Sequence, residues 1–221
     1  MKKIEAVIFD LDGVIVDTAH FHFLAWRNLA RELGVDFTLE FNEKLKGISR
    51  IESLEKILVL GNLQDKYFSE EKEALAAKKN NEYVELLKDM KECDIYLGIK
   101  ELINELRENN IKVSLASASK NAPIILEALR ITELFDYVVD PDSVSKGKPA
   151  PDIFLAGAKA LGANPEKCVG VEDAEAGIKA ILDANMFPVG VGTPSEMQKA
   201  GAKLIVTNTK DLTLDLIVRS I

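Results

Sequence analysis

Ile4, Ala6, Val7, Ile8 and Phe9 form an almost continuous apolar run of strand length. That pattern suits a strand covered on both faces, as in a parallel sheet, and a short buried helix would leave the same trace. Read as a first central strand, it puts Asp10 at its carboxyl end, where open α/β sheets hold their ligands, with Gly13 free to turn sharply or approach a ligand closely. From Thr18 to about Met90 the pattern becomes helical. Asp17 and Thr18 are N-cap candidates, Phe23, Trp26, Ala30 and Leu33 recur at helical spacing, and Gly34 stops the run. Further helices are predicted over 39–46, 50–60 and 69–90. Their aromatic and leucine stripes are most simply packing between helices.

Beyond Gly98 the two patterns alternate. Helices are predicted over 99–109, 121–129, 152–161 and 174–185, and strands over 111–116, 137–139, 168–171, 188–191 and 203–206. Alternation of this kind specifies α/β architecture, a doubly wound parallel sheet with helices on both faces. The helical block is then an insertion: residues 1–17 and 95–221 form the core and 18–94 a separate helical domain.

Composition narrows the function. The 221 residues suffice for one α/β domain plus a small one. Lys+Arg 28 against Asp+Glu 36 gives a net charge of −8, which argues against nucleic-acid or acidic-membrane partners and requires a local basic pocket for any anionic substrate. Cys93 and Cys168 are far apart and lack metal spacing, which fits a reducing compartment. The apolar run after Met1 is short and broken by Glu5 and Asp10, unlike a signal peptide, and no stretch is long enough to cross a bilayer. A cytoplasmic protein, and a monomer, is expected.

The candidate chemistry stands at strand ends. Asp10 and Asp12 crowd two anionic groups together, which a hard divalent cation would relieve, leaving one carboxylate to attack an electrophile. Alone, the pair equally fits an Asp-Gly turn. Strand 111–116 ends in Ser117-Ala118-Ser119-Lys120-Asn121, whose hydroxyls and N–H groups suit a phosphate or simply open a helix. Lys148 precedes a Pro-rich turn, and Glu172-Asp173 forms a second acidic pair after a buried strand, well placed for a helix N-terminus.

In the order DLDGV, LASAS, KPAPD and GVEDAEAG, these segments resemble the haloacid dehalogenase superfamily over essentially the whole chain. The resemblance implies a Rossmann-like core, a small α-helical cap domain inserted after the first strand, Mg²⁺ as cofactor, and an aspartate that becomes phosphorylated. It makes Asp10 the nucleophile and Asp12 the general acid/base, gives Ser117 and Lys148 the transferring phosphoryl group, and draws metal ligands from Asp10, Glu172, Asp173 and the Asp12 main-chain carbonyl.

Within the insert, Arg50 has the geometry to clamp a second phosphate, or is a surface charge on a loop. His20 and His22 lie about 200° apart on a helix, so at most one faces a site. DTAHFHFLAW, LKGISRIESL, Lys79-Asn80, ASASKN and KPAPDIF resemble the β-phosphoglucomutase family. That family interconverts β-glucose 1-phosphate and glucose 6-phosphate through β-glucose 1,6-bisphosphate, which also primes the enzyme. The match implies sugar phosphates as partners and makes His22, Lys46, Gly47, Arg50, Ser53, Lys79, Ser117, Ala118 and Asn121 substrate contacts, with Thr18 at the hinge. Lys79 also reads as part of a solvated helix face with Lys78, Asn80 and Asn81.

Two positions depart from the family pattern: Leu97 replaces a common Pro, which predicts a looser second linker, and Ala174 replaces a common Ser near the metal site. A sugar-phosphate phosphatase is the nearest rival. A phospho-aspartate signalling module would place its acid pair before the phosphorylated aspartate, in a shorter chain without a helical insert.

Overall fold

The computed structural model describes residues 4–45 and 48–221, which fall into two compact units, Met1–Asp17 with Lys91–Ile221, and Thr18–Met90. In the first unit, six parallel strands form one sheet in the order β3-β2-β1-β4-β5-β6. They are β1 (Ala6–Phe9), β2 (Lys112–Leu115), β3 (Tyr137–Val138), β4 (Cys168–Glu172), β5 (Phe187–Val191) and β6 (Leu204–Val206). β1 lies at the centre, pairing Ala6 with Lys112 on one side and with Cys168 on the other. Successive strand residues point to opposite faces, and all four of β1 are buried, so both faces of the sheet are covered there.

The helices of this unit are α5 (Ile99–Glu108), α6 (Ala122–Ala128), α7 (Asp152–Leu161), α8 (Glu175–Asp183), α9 (Pro194–Ala200) and α10 (Leu214–Ser220). α7 packs across β1, β2 and β3, and α8 across β4 and β5. Ile8, Phe154, Ile178 and Ile181 are fully buried in the resulting core. α9 and α10 are absent from the sequence-based expectation. Each has seven residues, about two turns, too few for a 3.6-residue period to show.

The second unit contains α1 (Ala19–Glu32), α2 (Leu39–Glu43), α3 (Arg50–Leu60) and α4 (Ser69–Leu87). α4 packs against α1 and α3, and Trp26, Leu29, Leu54, Ile57 and Leu58 form the core. α3 begins with a capping box: Ser49 Oγ accepts from Glu52 N while Glu52 Oε2 accepts from Ser49 N, satisfying two orphan donors. α2 is shorter than predicted, and α4 ends at Leu87, three residues before the predicted stop at Met90. Thr18 stands at the N-cap of α1, but its side chain does not cap the helix.

Residues 91–94, expected with the helical block, group with the sheet unit. The cause is local: Glu92 pairs with Lys100 on α5, and Ile95 bridges Val16 antiparallel. The returning chain is also held more firmly than Leu97 predicts. Tyr96 N donates to Ile15 O at 2.9 Å, and the Thr209 hydroxyl donates to Leu97 O at 2.8 Å.

Candidate active site

The carboxyl end of the sheet gathers charge that the interior would otherwise reject. Asp10, one residue past β1, is 4% exposed, and Glu172, the last residue of β4, is fully buried. Because β1 and β4 are adjacent and parallel, their C-terminal side chains converge. Lys148 joins them from the loop before α7, its Nζ donating to Asp10 Oδ1 at 2.6 Å and to Glu172 Oε1 at 2.8 Å. The same ammonium sits 5.1 Å from the centroid of the Phe154 ring, one turn into α7, a cation–π contact in a dry setting. The Lys148–Pro149 peptide is cis.

Burial raises the Asp10 carboxyl from 3.8 to about 6, opposed by Lys148 and assisted by Glu172. The group is therefore still mostly ionised at neutral pH. Burial also works against the Lys148 charge, but Asp10 and Glu172 outweigh it and hold the ammonium above its usual range.

Asp10, Glu172 and Asp173 offer three oxygens within 4.8 Å of one another. Three carboxylate oxygens this close together, with the Lys148 ammonium between two of the acids, make the all-oxygen anionic donor set that a hard divalent cation takes. The residues therefore fit Mg²⁺. Two glycines make room for the acids: a Cβ at Gly177 would lie 2.0 Å from Glu172 Oε1, and one at Gly13, where φ is +82°, 2.1 Å from Asp173 Oδ2. Glu172 Oε2 accepts from Ala174 N at 2.7 Å. The contact comes from the Ala174 backbone and does not depend on that residue's side chain.

Asp12 is half-buried on the turn after β1 and bridges Val16. Its side chain lies outside the three-carboxylate cluster. Tyr96, which the sequence did not single out, belongs to this neighbourhood. Its hydroxyl is pushed up to about 12 by burial and then by Asp17, Asp173 and Asp12.

β2 delivers Ser117, 2% exposed, whose Oγ accepts from Ser119 N at 3.0 Å, while Ser119 Oγ accepts from Asn121 N at 3.2 Å. Ala118 is half-buried in this loop and Asn121 is buried. α6 has only seven residues, so phosphate-binding capacity rests on the loop and its side chains more than on a helix terminus.

The helical unit holds a second cluster. Lys79 is 1% exposed on α4, not on a solvated face. Its Nζ lies 2.8 Å from His22 Nδ1 on α1, and 4.7 Å and 4.5 Å from the Trp26 and Tyr83 ring centroids. Burial, then the positive charges of Lys79 and Arg50, hold His22 well below its usual range, so the imidazole is neutral. An ammonium donor at Nδ1 fixes the tautomer with its proton on Nε2. His20 is exposed. Arg50 is the half-buried first residue of α3. Ser53 is buried and donates to Ser49 O at 2.9 Å. Thr18 is fully buried. Lys46 and Gly47 lie outside the described residues.

Residues missed by sequence reasoning act beneath the site. Phe154 follows KPAPDI and Gly177 ends GVEDAEAG, so both sat inside quoted motifs, but only the packing shows what they do.

Comparison with known proteins follows the same lines. The family model for haloacid dehalogenase-like hydrolase matches residues 4–185. The chain is 50% identical over 213 residues to the β-phosphoglucomutase of Bacillus subtilis, covering 96% of this chain and 93% of the relative. The crystal structure of a β-phosphoglucomutase from Clostridium difficile superposes with a TM-score of 0.95 at 49% identity, covering 98% of this chain and 96% of that one. A phosphorylated carbohydrates phosphatase of Thermotoga maritima is 30% identical over 184 residues, 82% of each chain. Among the described residues no helix is long and apolar enough to cross a membrane.

Proposed function

Since the chain belongs to the haloacid dehalogenase-like hydrolase family, we infer that it is a phosphomutase interconverting β-D-glucose 1-phosphate and D-glucose 6-phosphate through β-D-glucose 1,6-bisphosphate. The observation that carries this reading is the match at about half identity, over nearly the full length, to two phosphoglucomutases. The site residues supply a consistent chemistry.

The Asp10 carboxylate attacks phosphorus of a bound phosphate ester. The bond from phosphorus to the sugar oxygen breaks, and Asp12 gives that oxygen its proton. In the return step a sugar hydroxyl attacks the aspartyl phosphate, Asp12 takes the hydroxyl proton, and Asp10 is regenerated. β-Glucose 1,6-bisphosphate loads the enzyme and is also the intermediate. Lys148 and the Ser117 loop orient the phosphoryl oxygens and offset their charge, so most of the catalytic effect is positioning and electrostatics. Asp10, Glu172, Asp173 and the Asp12 main-chain carbonyl would hold Mg²⁺, which when bound neutralises charge on the phosphoryl group.

A mutase must also hold the phosphate that is not being transferred. Arg50, with the neutral His22 and buried Lys79, is suited to that anion, with Lys46, Gly47 and Ser53 as further contact candidates; Thr18 is the hinge candidate, and Asn121 a substrate contact on the Ser117 loop. Arg50 contributes a bidentate donor, while Lys79 is a fixed point charge.

A sugar-phosphate phosphatase is the second reading, favoured by the likeness to the Thermotoga maritima enzyme. The test is a time course with Mg²⁺, β-glucose 1-phosphate and a trace of the bisphosphate, following glucose 6-phosphate and inorganic phosphate together. Primer-dependent glucose 6-phosphate with little phosphate establishes the mutase. Phosphate release without isomerisation refutes it. Asp12→Ala is expected to lose about 10²- to 10⁴-fold in turnover while still binding Mg²⁺, since its metal contact is main-chain.

A further inference from the structure

A buried hydroxyl at the far end of the chain sits in hydrogen-bonded register with the acid/base loop. Thr209, 4% exposed in the 3-10 turn Thr209–Asp211, donates to Leu97 O at 2.8 Å. Gly98 is pressed onto the same turn. Its φ is +86°, and a Cβ there would lie 2.7 Å from Lys210 Cα and 3.1 Å from Thr209 O. The returning segment is thus seated on the C-terminal turn by one side-chain hydrogen bond and one direct backbone contact.

The Leu97 side chain adds little to this seat. It is 72% exposed, and unlike a proline it leaves its own φ unrestricted. One residue earlier, Tyr96 N donates to Ile15 O at 2.9 Å, and Ile95 bridges Val16 antiparallel. Val16 in turn bridges Asp12, and its carbonyl accepts from Gly13 N at 2.9 Å. Val14, Ile15 and Val16 are fully buried, so this ladder has no solvent layer in which to slip. A continuous set of backbone contacts therefore runs from the Thr209 hydroxyl through 95–97 and 15–16 to the backbone of Asp12.

We propose that Thr209 is a positioning residue for the reaction, acting through Leu97 and the 95–97 to 15–16 ladder to hold Asp12 where it exchanges a proton with the sugar oxygen. The proposal rests on Asp12 being the acid/base. Thr209 touches neither substrate nor reacting atoms; its effect is on the placement of the loop.

The test uses the dependence of a general acid on its leaving group. Phosphorylation of Asp10 by acetyl phosphate expels acetate, which needs no proton, whereas transfer to or from a sugar oxygen does. Thr209→Val, isosteric but without the hydroxyl, is expected to lower kcat for β-glucose 1-phosphate by about tenfold or more, with less than about twofold change in KM. Phosphorylation by acetyl phosphate should keep its rate, and Thr209→Ser should restore kcat. Gly98→Ala, which forces the same two segments apart from the other side, is expected to give the same selective pattern. Parallel loss of both rates in Thr209→Val, no loss of kcat, or failure of Thr209→Ser to rescue overturns the proposal. Asp12→Ala is run alongside. If it keeps the sugar-phosphate rate, the acid/base assignment itself has failed, a result distinguishable from an inert Thr209.

Discussion

Replacing Lys148 by methionine tests whether its buried ammonium holds Asp10 and Glu172 together. The substitution keeps volume and the apolar stem over Phe154 but removes the charge between Asp10 and Glu172. Both carboxylates are almost wholly buried, and Asp173 lies within the same 4.8 Å cluster, so Asp10 and Glu172 lose the cation between them beside a third acid. Breaking a buried ion pair from one side costs about 3–5 kcal/mol, because the remaining charge keeps its desolvation penalty. For a chain of this length each kcal/mol moves Tm by about 2–4 °C, which predicts a drop of about 6–20 °C.

The assay is thermal unfolding by circular dichroism in EDTA, with native-state hydrogen exchange at the β4 amides to localise the loss to the sheet. Saturating Mg²⁺ should restore more stability to the variant than it adds to the parent, since the uncompensated acids gain most from a cation. A Tm within about 2 °C of the parent in EDTA, or equal Mg²⁺ stabilisation of both proteins, refutes the claim that Lys148 offsets the acidic cluster.

Arg50→Ala should lower kcat/KM for β-glucose 1-phosphate by about tenfold to a hundredfold, the worth of a charge-assisted hydrogen bond, while sparing Asp10 phosphorylation by acetyl phosphate; unchanged steady-state kinetics removes Arg50 from the site. His22 is held below its usual 6.5 in the folded protein, so the unfolded chain takes up a proton that the native one refuses. Its contribution is complete above about pH 6.5 and is lost as pH falls below that, by up to about 1.4 kcal/mol per pH unit. Urea unfolding followed by Trp26 fluorescence should show that extra slope in the parent and not in His22→Gln. Ser114 is fully buried on β2, with no hydrogen-bond partner for its hydroxyl among the described residues, and a Cβ at Gly157 on α7 would sit 2.7 Å from it. Ser114→Ala is expected to be neutral or stabilising by about 1 kcal/mol, whereas Gly157→Ala should destabilise the parent but be tolerated in the Ser114→Ala background; additive effects in denaturant titrations would refute the contact.

The alternation of apolar strands with amphipathic helices was legible because it is a local pattern, and so was the place of the helical insert. The chemistry-bearing residues were legible for a related reason. Asp10, Ser117, Lys148 and Glu172-Asp173 each stand at the end of a strand or in the loop after one, and parallel strands bring those ends together whatever the intervening chain does. Tertiary structure decided the rest. Lys79 reads equally as solvated or functional from its neighbours, and only the rings of Trp26 and Tyr83 and the imidazole of His22, contributed by two helices, bury it. Leu97 predicted a loose linker, yet its carbonyl is held by Thr209, a partner 112 residues away. The Asp10 carboxyl is raised by burial, opposed by Lys148, 138 residues on, and assisted by Glu172, 162 residues on, and none of the three is visible in the residues beside it. Periodicity and strand-end position are short-range properties of a polymer and survive in the sequence. Desolvation, charge compensation and anchoring depend on which distant groups share one low-dielectric space, and that is decided only when the chain is packed.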